Sequence, residues 1–397
     1  MVEPPSRPVP AAGRGWLLAL LVAVVTAYAA LSRPPGRRLS DLDVYLGAVA
    51  ALRNGESLYD FALGNAPFTY PPYAGLLMLP LTGMPAGLLR VLWTLATVAT
   101  VALLARLAAR HDARPEAWRT APLIALVLFL SAPVASDVRY GQVSLFLALA
   151  VLVDVLRRGR AQGVLIGLAA AIKLTPLIFI PMLWFGGRRR AAVTAAVTFA
   201  GCGAAAAAIL PADSWRYWTT EVRDVDRLGS IASPGNQSLN GALIRFGQTA
   251  PVRSATVLLL GGLVVVLALR RAARLAAAGD RLAGTVVVGA ASIAFSPVSW
   301  THHQVWLVLA AFLPMHPAWR GLGLVLMLLP VTAVWSDARL AWAVAVAALI
   351  PIGRRMGGPD LTGRCASEVP SNIVHTQSRP HVDGDTAPVT PAPPAAR

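Results

Sequence analysis

Lysine is almost missing from this chain: of 35 basic residues, Lys173 is the single one that is not arginine. Cysteine is nearly as scarce. Cys202 and Cys365 are far apart, so neither a disulfide framework nor a cysteine metal cluster is encoded. Charged residues make up only 14% of 397 positions. Several signatures are absent as well. There is no G-x-x-x-x-G-K-[ST] loop and no G-x-G-x-x-G after a strand, and no H-E-x-x-H pair or nucleophile elbow. These absences exclude a P-loop enzyme, a Rossmann-type dinucleotide site, a zincin and a serine hydrolase of the elbow type. No Arg-rich loop is large enough for a nucleotide-sugar domain, so an activated substrate is expected to arrive in the lipid phase.

What the chain has instead is apolar length. It is 56% hydrophobic, with a mean hydropathy of +0.60. Repeated apolar runs of about twenty residues match helices crossing roughly 30 Å of hydrocarbon. The fold class predicted is an all-α polytopic membrane protein. The net charge is +16, and much of it lies in short loops between apolar runs. That placement reads as topology and affinity for anionic headgroups, not as nucleic-acid binding.

Apolar runs are expected at about 16–32, 86–108, 120–135, 142–156, 190–210, 252–269, 282–297, 304–315, 320–335 and 340–353. The run between the arginine clusters at 157–160 and 188–190 is predicted to be a short hairpin broken at Lys173–Pro176, with one tilted span as the alternative. Counting the hairpin as two gives about twelve transmembrane helices, some short or re-entrant. The organisation expected is a cytoplasmic N-terminal segment (1–15), a membrane domain (16–353) and a disordered cytoplasmic tail (354–397). Helix 16–32 is read as retained, since no A-x-A cleavage site follows it. With both termini inside, the unusual polar segments fall on the external face.

The stretch 40–73 carries most of that polarity. It holds Asp41 and Asp43, a helix-like run from Val44 to Arg53, a Gly-Glu-Ser turn, Tyr59-Asp60 and Tyr70-Pro71-Pro72-Tyr73. Acids, phenols and rigid turns at one membrane surface suit a site for a polar substrate. Asp41 or Asp43 is a candidate general base or metal ligand, or else a loop carboxylate facing Arg37 or Arg38. Tyr45, Tyr59 and Tyr70 are candidate substrate contacts. Lys173 interrupts an apolar run, at a cost of about 2.5–3.5 kcal/mol on insertion scales. It needs an anionic partner, either Asp154 or a phosphate bound from the lipid side. Arg139 and Gln142, in one polar turn, offer a phosphate fork and a sugar hydrogen bond. Asn236, Gln237 and Ser238 form an amide-rich segment suited to a polyol. Trp300, His302 and His303 lie together, and adjacent histidines make a poor metal motif. No metal set is visible, although the paired acids permit a divalent cation.

Taken in order over about 40–305, these segments resemble the membrane-embedded GT-C glycosyltransferases, specifically glycosyltransferase family 87. The resemblance rests on Asp41-Leu42-Asp43-Val44-Tyr45, Gly55 with Leu58-Tyr59, Tyr70-Pro71-Pro72, Gly141-Gln142, Lys173-Leu174-Thr175-Pro176, Asn236-Gln237-Ser238-Leu239, and Ser296-Pro297 with Ser299-Trp300 and His302-His303. It implies a GT-C bundle whose first external loop carries the catalytic acid, at the plasma membrane. It also implies a polyprenyl-phosphate-mannose donor, a glycolipid or lipoglycan acceptor and α-(1→2) transfer; no cofactor is expected, with a divalent metal left open. Asp41 matches the family's aspartate, with Asp43 as a second acid. Lys173, Arg139, His302 and His303 are the basic groups expected at the donor phosphate. A transporter or flippase of a lipid-linked saccharide is the alternative, although no internal repeat is present; a non-catalytic assembly subunit is a third reading.

Overall fold

Ser40 opens a helix, so Asp41 and Asp43 stand in its first turn and not in the loop expected before Val44. Carboxylates at that end meet the positive pole of the helix, which favours the extra turn. The computed structural model describes residues 11–110 and 120–353. The expected tail 354–397, most of the N-terminal segment 1–15 and residues 111–119 of one Arg-rich loop lie outside the described residues.

Helix α1 (Ala11–Leu31) precedes α2 (Ser40–Arg53). A two-stranded hairpin follows, pairing Ala62–Leu63 with Ala66–Pro67 around Gly64-Asn65. Gly64 has φ 60°, the left-handed conformation such a tight turn requires. Then come α3 (Pro72–Met78) and α4 (Ala86–Ala109), followed by α5 (Ala121–Leu130) and α6 (Ala132–Tyr140). The last two form one apolar run bent by 65°. Pro133 causes the bend, because it cannot continue the hydrogen-bond ladder of α5.

Helix α7 (Ser144–Leu156) leads to α8 (Val164–Ile172), which stops at Lys173 with extended backbone (φ −148°, ψ 132°). Pro176 explains that stop as well. It has no N–H to donate to the Ile172 carbonyl, so the ladder of α8 cannot continue through it. A 3₁₀ turn at Thr175–Ile178 then enters α9 (Phe179–Phe185). The expected break therefore exists, and it leaves the one lysine outside any helix.

The remaining helices are α10 (Arg189–Ile209), α11 (Pro211–Arg216), α12 (Leu239–Arg245), α13 (Ala250–Thr256), α14 (Gly262–Ala277), α15 (Arg281–Phe295), α16 (Val305–Ala310), α17 (Pro317–Leu328) and α18 (Ala338–Val344). Among the described residues, four helical runs are long and apolar enough to cross a membrane: Gly13–Leu31, Ala86–Ala109, Arg189–Ile209 and Ala250–Ala277. The bent pair is a fifth, and five shorter apolar helices accompany them. Large apolar side chains such as Val197, Leu258 and Leu259 face outward, as they would toward lipid.

Helix α15 is apolar all round and buried along almost its whole length, which makes it the axis of the core. Trp306 lies so close to Gly289 that a Cβ there would meet its ring at 2.4 Å. Threonines on α4 avoid unsatisfied hydroxyls by donating to their own helix: Thr94 Oγ1 to the Arg90 carbonyl (2.8 Å) and Thr97 Oγ1 to that of Trp93 (2.9 Å).

Asp154 is fully buried and accepts from Gly163 N (3.0 and 2.9 Å) and Ile166 N (3.0 Å), with Arg157 at 2.8 Å. It caps the start of α8, and its ion-pair partner is this arginine and not Lys173. Removing one member of a buried charged pair typically costs about 3–5 kcal/mol. We therefore expect Asp154→Ala to lower the thermal midpoint of the purified protein sharply in a detergent melt.

Candidate active site

A cavity of about 1140 Å³ collects side chains from α1, α2, α6, the Lys173 break, the hairpin, the segment before α12 and the turn at Thr301–His303. Of the residues singled out by sequence, Asp41, Tyr45, Tyr70, Arg139, Gln142, Lys173, Trp300, His302 and His303 line it.

Asp41 is held by a directional chain. Gln142 Nε2 donates to its Oδ2, and Ser40 Oγ donates to Oδ1 at 3.1 Å. The amide orientation is set from the other end, because Tyr70 Oη donates to Gln142 Oε1 (3.0 Å) and lies 2.8 Å from Tyr45 Oη. A carboxylate only accepts, so the amide must present its NH₂ to Asp41. Burial raises the Asp41 carboxyl above the usual range, against the lowering influence of Gln142, Ser40 and the Lys173 charge.

The approach of Gln142 depends on two backbone features. Leu39, which precedes α2, has φ 45° and is the sole non-glycine with positive φ among the described residues. Gly141 has φ 69°, and a Cβ there would lie 2.9 Å from Leu42 Cβ and 3.0 Å from Leu39 Cβ. The glycine thus permits both the turn and the contact that carries Gln142 to Asp41. Asp137 supports the same turn: its carbonyl accepts from Gly141 N (2.9 Å) and Gln142 N (3.1 Å), and its Oδ2 from Leu145 N (3.3 Å).

Asp43 points elsewhere. Its Oδ1 is 2.9 Å from Arg90 Nη2 and 3.2 Å from Nε, and it does not line the cavity. Two positions along a helix differ by about 200° in direction, so the two acids serve different neighbours.

Lys173 Nζ lies 2.7 Å from His303 Nε2 and 5.2 Å from the centre of the Tyr70 ring. An ammonium must donate, so in this pair Nε2 accepts and the ring proton sits on Nδ1. Trp300 N lies 3.2 Å from the same Nδ1. Burial, with the Lys173 charge alongside, keeps His302 and His303 well below the usual histidine range, hence neutral. The acids that act on the Lys173 charge are Asp137 and Asp41, not the Asp154 considered from sequence. Arg139 is exposed on the cavity wall, with its guanidinium 5.0 Å from the Tyr140 ring centre.

Four expected substrate contacts are placed differently. Tyr59 Oη donates to the Tyr70 carbonyl (2.9 Å), and its ring stacks on Tyr217. Asn236, Gln237 and Ser238 are fully buried and hold backbone together. Asn236 Oδ1 accepts from Ser299 N (2.9 Å) and Ser238 N (3.2 Å). Gln237 Oε1 accepts from Leu340 N (2.9 Å), while Ser238 Oγ donates to Pro297 O (3.1 Å) and accepts from Gly241 N (3.0 Å). With their donors and acceptors engaged, these side chains brace the wall behind Trp300 and do not line the cavity.

Sequence reasoning passed over Asp137, Arg33, Tyr217, Glu221 and Arg227. Asp137 lies two residues before Arg139 in the same polar turn, where an acid beside an apolar run was the available signal. The other four line the cavity from distant loops and ends, and no local pattern marks them. Among the described residues, no group of three or more His, Cys, Asp or Glu side chains gathers as a metal site.

An anchored carboxylate and a lysine–histidine pair face one cavity in a bundle of apolar helices, an arrangement that suits a membrane enzyme. Comparison with known proteins makes that class specific. Residues 68–297 match glycosyltransferase family 87. The chain is 36% identical over 313 residues to the polyprenol-phosphate-mannose-dependent alpha-(1-2)-phosphatidylinositol pentamannoside mannosyltransferase of Mycolicibacterium smegmatis, covering 76% of each. It is 31% identical over 349 residues to the polyprenol-phosphate-mannose-dependent alpha-(1-2)-phosphatidylinositol mannoside mannosyltransferase of Mycobacterium tuberculosis, covering 80% of this chain and 79% of that one. No solved structure matches. The protein is a membrane glycosyltransferase, and the chain belongs to glycosyltransferase family 87.

The Gly141 geometry is testable. Left-handed backbone costs a non-glycine residue about 1–2 kcal/mol, and the added Cβ presses on Leu39 and Leu42. Gly141→Ala is expected to reduce kcat/KM at least ten-fold, because Gln142 is displaced from Asp41. The check is steady-state kinetics on protein shown to be folded by size-exclusion profile.

Proposed function

We propose that this enzyme transfers mannose from polyprenyl-phosphate-mannose to a mannoside-bearing glycolipid, of the phosphatidylinositol mannoside, lipomannan or lipoarabinomannan type, in α-(1→2) linkage with inversion. The observation that carries the reading is the shared cavity: Asp41, fixed by Gln142, opens onto the same space as the Lys173–His303 pair. The relatives' donor and acceptor, named above, suit that arrangement.

In this mechanism the acceptor 2-hydroxyl oxygen attacks the anomeric carbon from the face opposite the phosphate. The carbon–oxygen bond to phosphate breaks as the new glycosidic bond forms, and the hydroxyl proton passes to Asp41. A β-linked donor then gives an α product in one displacement, with no carboxylate nucleophile. Negative charge grows on the departing polyprenyl phosphate. Lys173, oriented by His303, holds that phosphate together with Arg139 and the His302 imidazole, and lowers the barrier where charge develops. Tyr45, Tyr70, Gln142 and Trp300 shape the sugar's surroundings. The proton later leaves Asp41 for solvent, and no metal is assigned a role.

The protein works in the plasma membrane, with residues 16–353 as the transferase domain. Its active site faces outward and both termini lie inside. The bundle has about twelve transmembrane segments, counting those too short to span alone.

The reaction is tested with purified protein, synthetic polyprenyl-phosphate-mannose and mannoside-lipid acceptors, read by product mass and linkage. A gain of one hexose in α-(1→2) linkage is the expected result; movement of labelled lipid across proteoliposomes without transfer would refute the assignment. Asp41→Asn is expected to lower kcat/KM by about 10²–10⁴, the range of general-base catalysis. Asp43→Asn is expected to leave more activity, because that carboxylate faces Arg90. The base must be ionised, so activity falls as pH drops through the raised Asp41 value. A pH profile of kcat/KM should show an acid limb centred above the ordinary aspartate value of about 3.9.

A further inference from the structure

Behind the lysine lies a second, much smaller cavity of about 40 Å³. Lys173, Thr175 and His303 line both spaces and so form the partition between them. The rear wall comes from α7, α15, Phe179 and Trp306, and most of it is apolar. Three serines interrupt it: Ser144, Ser292 and Ser299. Ser292 Oγ donates to the Gly289 carbonyl (2.7 Å) and Ser299 Oγ to that of Ile293 (2.8 Å), which leaves their lone pairs free to accept. Ser144 differs. Its Oγ is buried and has no hydrogen-bond partner among the described residues.

We propose that this cavity holds a structural water that bridges Ser144 to Lys173 and positions the lysine for the donor phosphate. A water site needs about 10–15 Å³ of such volume and two to four polar partners; this space is large enough, and Lys173, Ser144, Ser292 and Ser299 are among its lining side chains. The hydrogen bonds balance. The water accepts from the Lys173 ammonium and from the Ser144 hydroxyl, and it donates to the oxygens of Ser292 and Ser299. Lys173 then has a use for each of its three donors. One goes to His303 Nε2, one backward to the water, and one forward into the large cavity. A lysine tied at two points loses less freedom when it engages an anion than a free one would. Ser144 is thus a positioning residue that acts through the water and does not touch substrate. It stands two residues beyond Gln142, so one short segment orients both the base and the cation.

This inference rests on the reading of Lys173 as the donor-phosphate group, but the water itself is tested independently. A high-resolution map of the full chain should show density between Ser144 Oγ and Lys173 Nζ, lost in Ser144→Ala. The donor KM of Ser144→Ala should rise roughly three- to ten-fold, as expected for one lost hydrogen bond, while the acceptor KM stays unchanged. Ser144→Thr keeps the hydroxyl and should retain a donor KM close to wild type. A dry cavity predicts the opposite sign in stability. An unsatisfied buried hydroxyl destabilises, so Ser144→Ala would then melt higher than wild type with its donor KM unaltered. That result, or a map without density at the site, overturns the proposal. Density with no change in donor KM in Ser144→Ala would overturn the positioning role. A wrong reading of the donor would show up separately, as wild-type protein that does not transfer from it.

Discussion

Placing a carboxylate where it is half-buried yet still able to take a proton is the constraint around which this structure is arranged. Asp41 meets it through a hydrogen bond from Gln142, and that bond depends on a glycine that lets one helix end press against the start of another. The tyrosine pair behind Gln142 fixes the amide's orientation, and Asp137 pins the turn that carries it. Burial alone would favour the neutral acid; the hydrogen bonds and the nearby lysine oppose that shift. The balance leaves a group suited to general-base work.

The cationic side of the site obeys a related rule. A lysine within an apolar bundle must be compensated, and here a break in the helix, a neutral histidine and an aromatic face surround it. Proline supplies the break both here and at the bend between α5 and α6. In each case the backbone irregularity borders the large cavity, a placement in keeping with a membrane environment. The polar loops then need internal bracing, and Asn236, Gln237 and Ser238 provide it by bonding to backbone on two other segments, Pro297–Ser299 and the start of α18.

Apolar run length and the Pro and Gly positions were enough to locate most helices, the break at Lys173 and the segments that make up the site, because these are local properties of the chain. The motifs also pointed to the family. Local pattern did not distinguish Asp41 from Asp43, since adjacent carboxylates on one turn look alike until their neighbours are known. It did not separate an amide that braces backbone, such as Asn236, from one that lines the cavity and holds Asp41, such as Gln142. Both sit in short polar runs between apolar segments, and only burial and partners tell them apart.

Taken alone, then, the sequence determined a helical membrane bundle, the approximate helix positions and a set of polar segments able to serve a family 87 transferase. Tertiary structure decided which of those residues meet. Gln142 reaches Asp41 across 101 positions, and His303 reaches Lys173 across 130. Such contacts depend on how the helices pack and where the chain bends, which no window of neighbouring residues encodes.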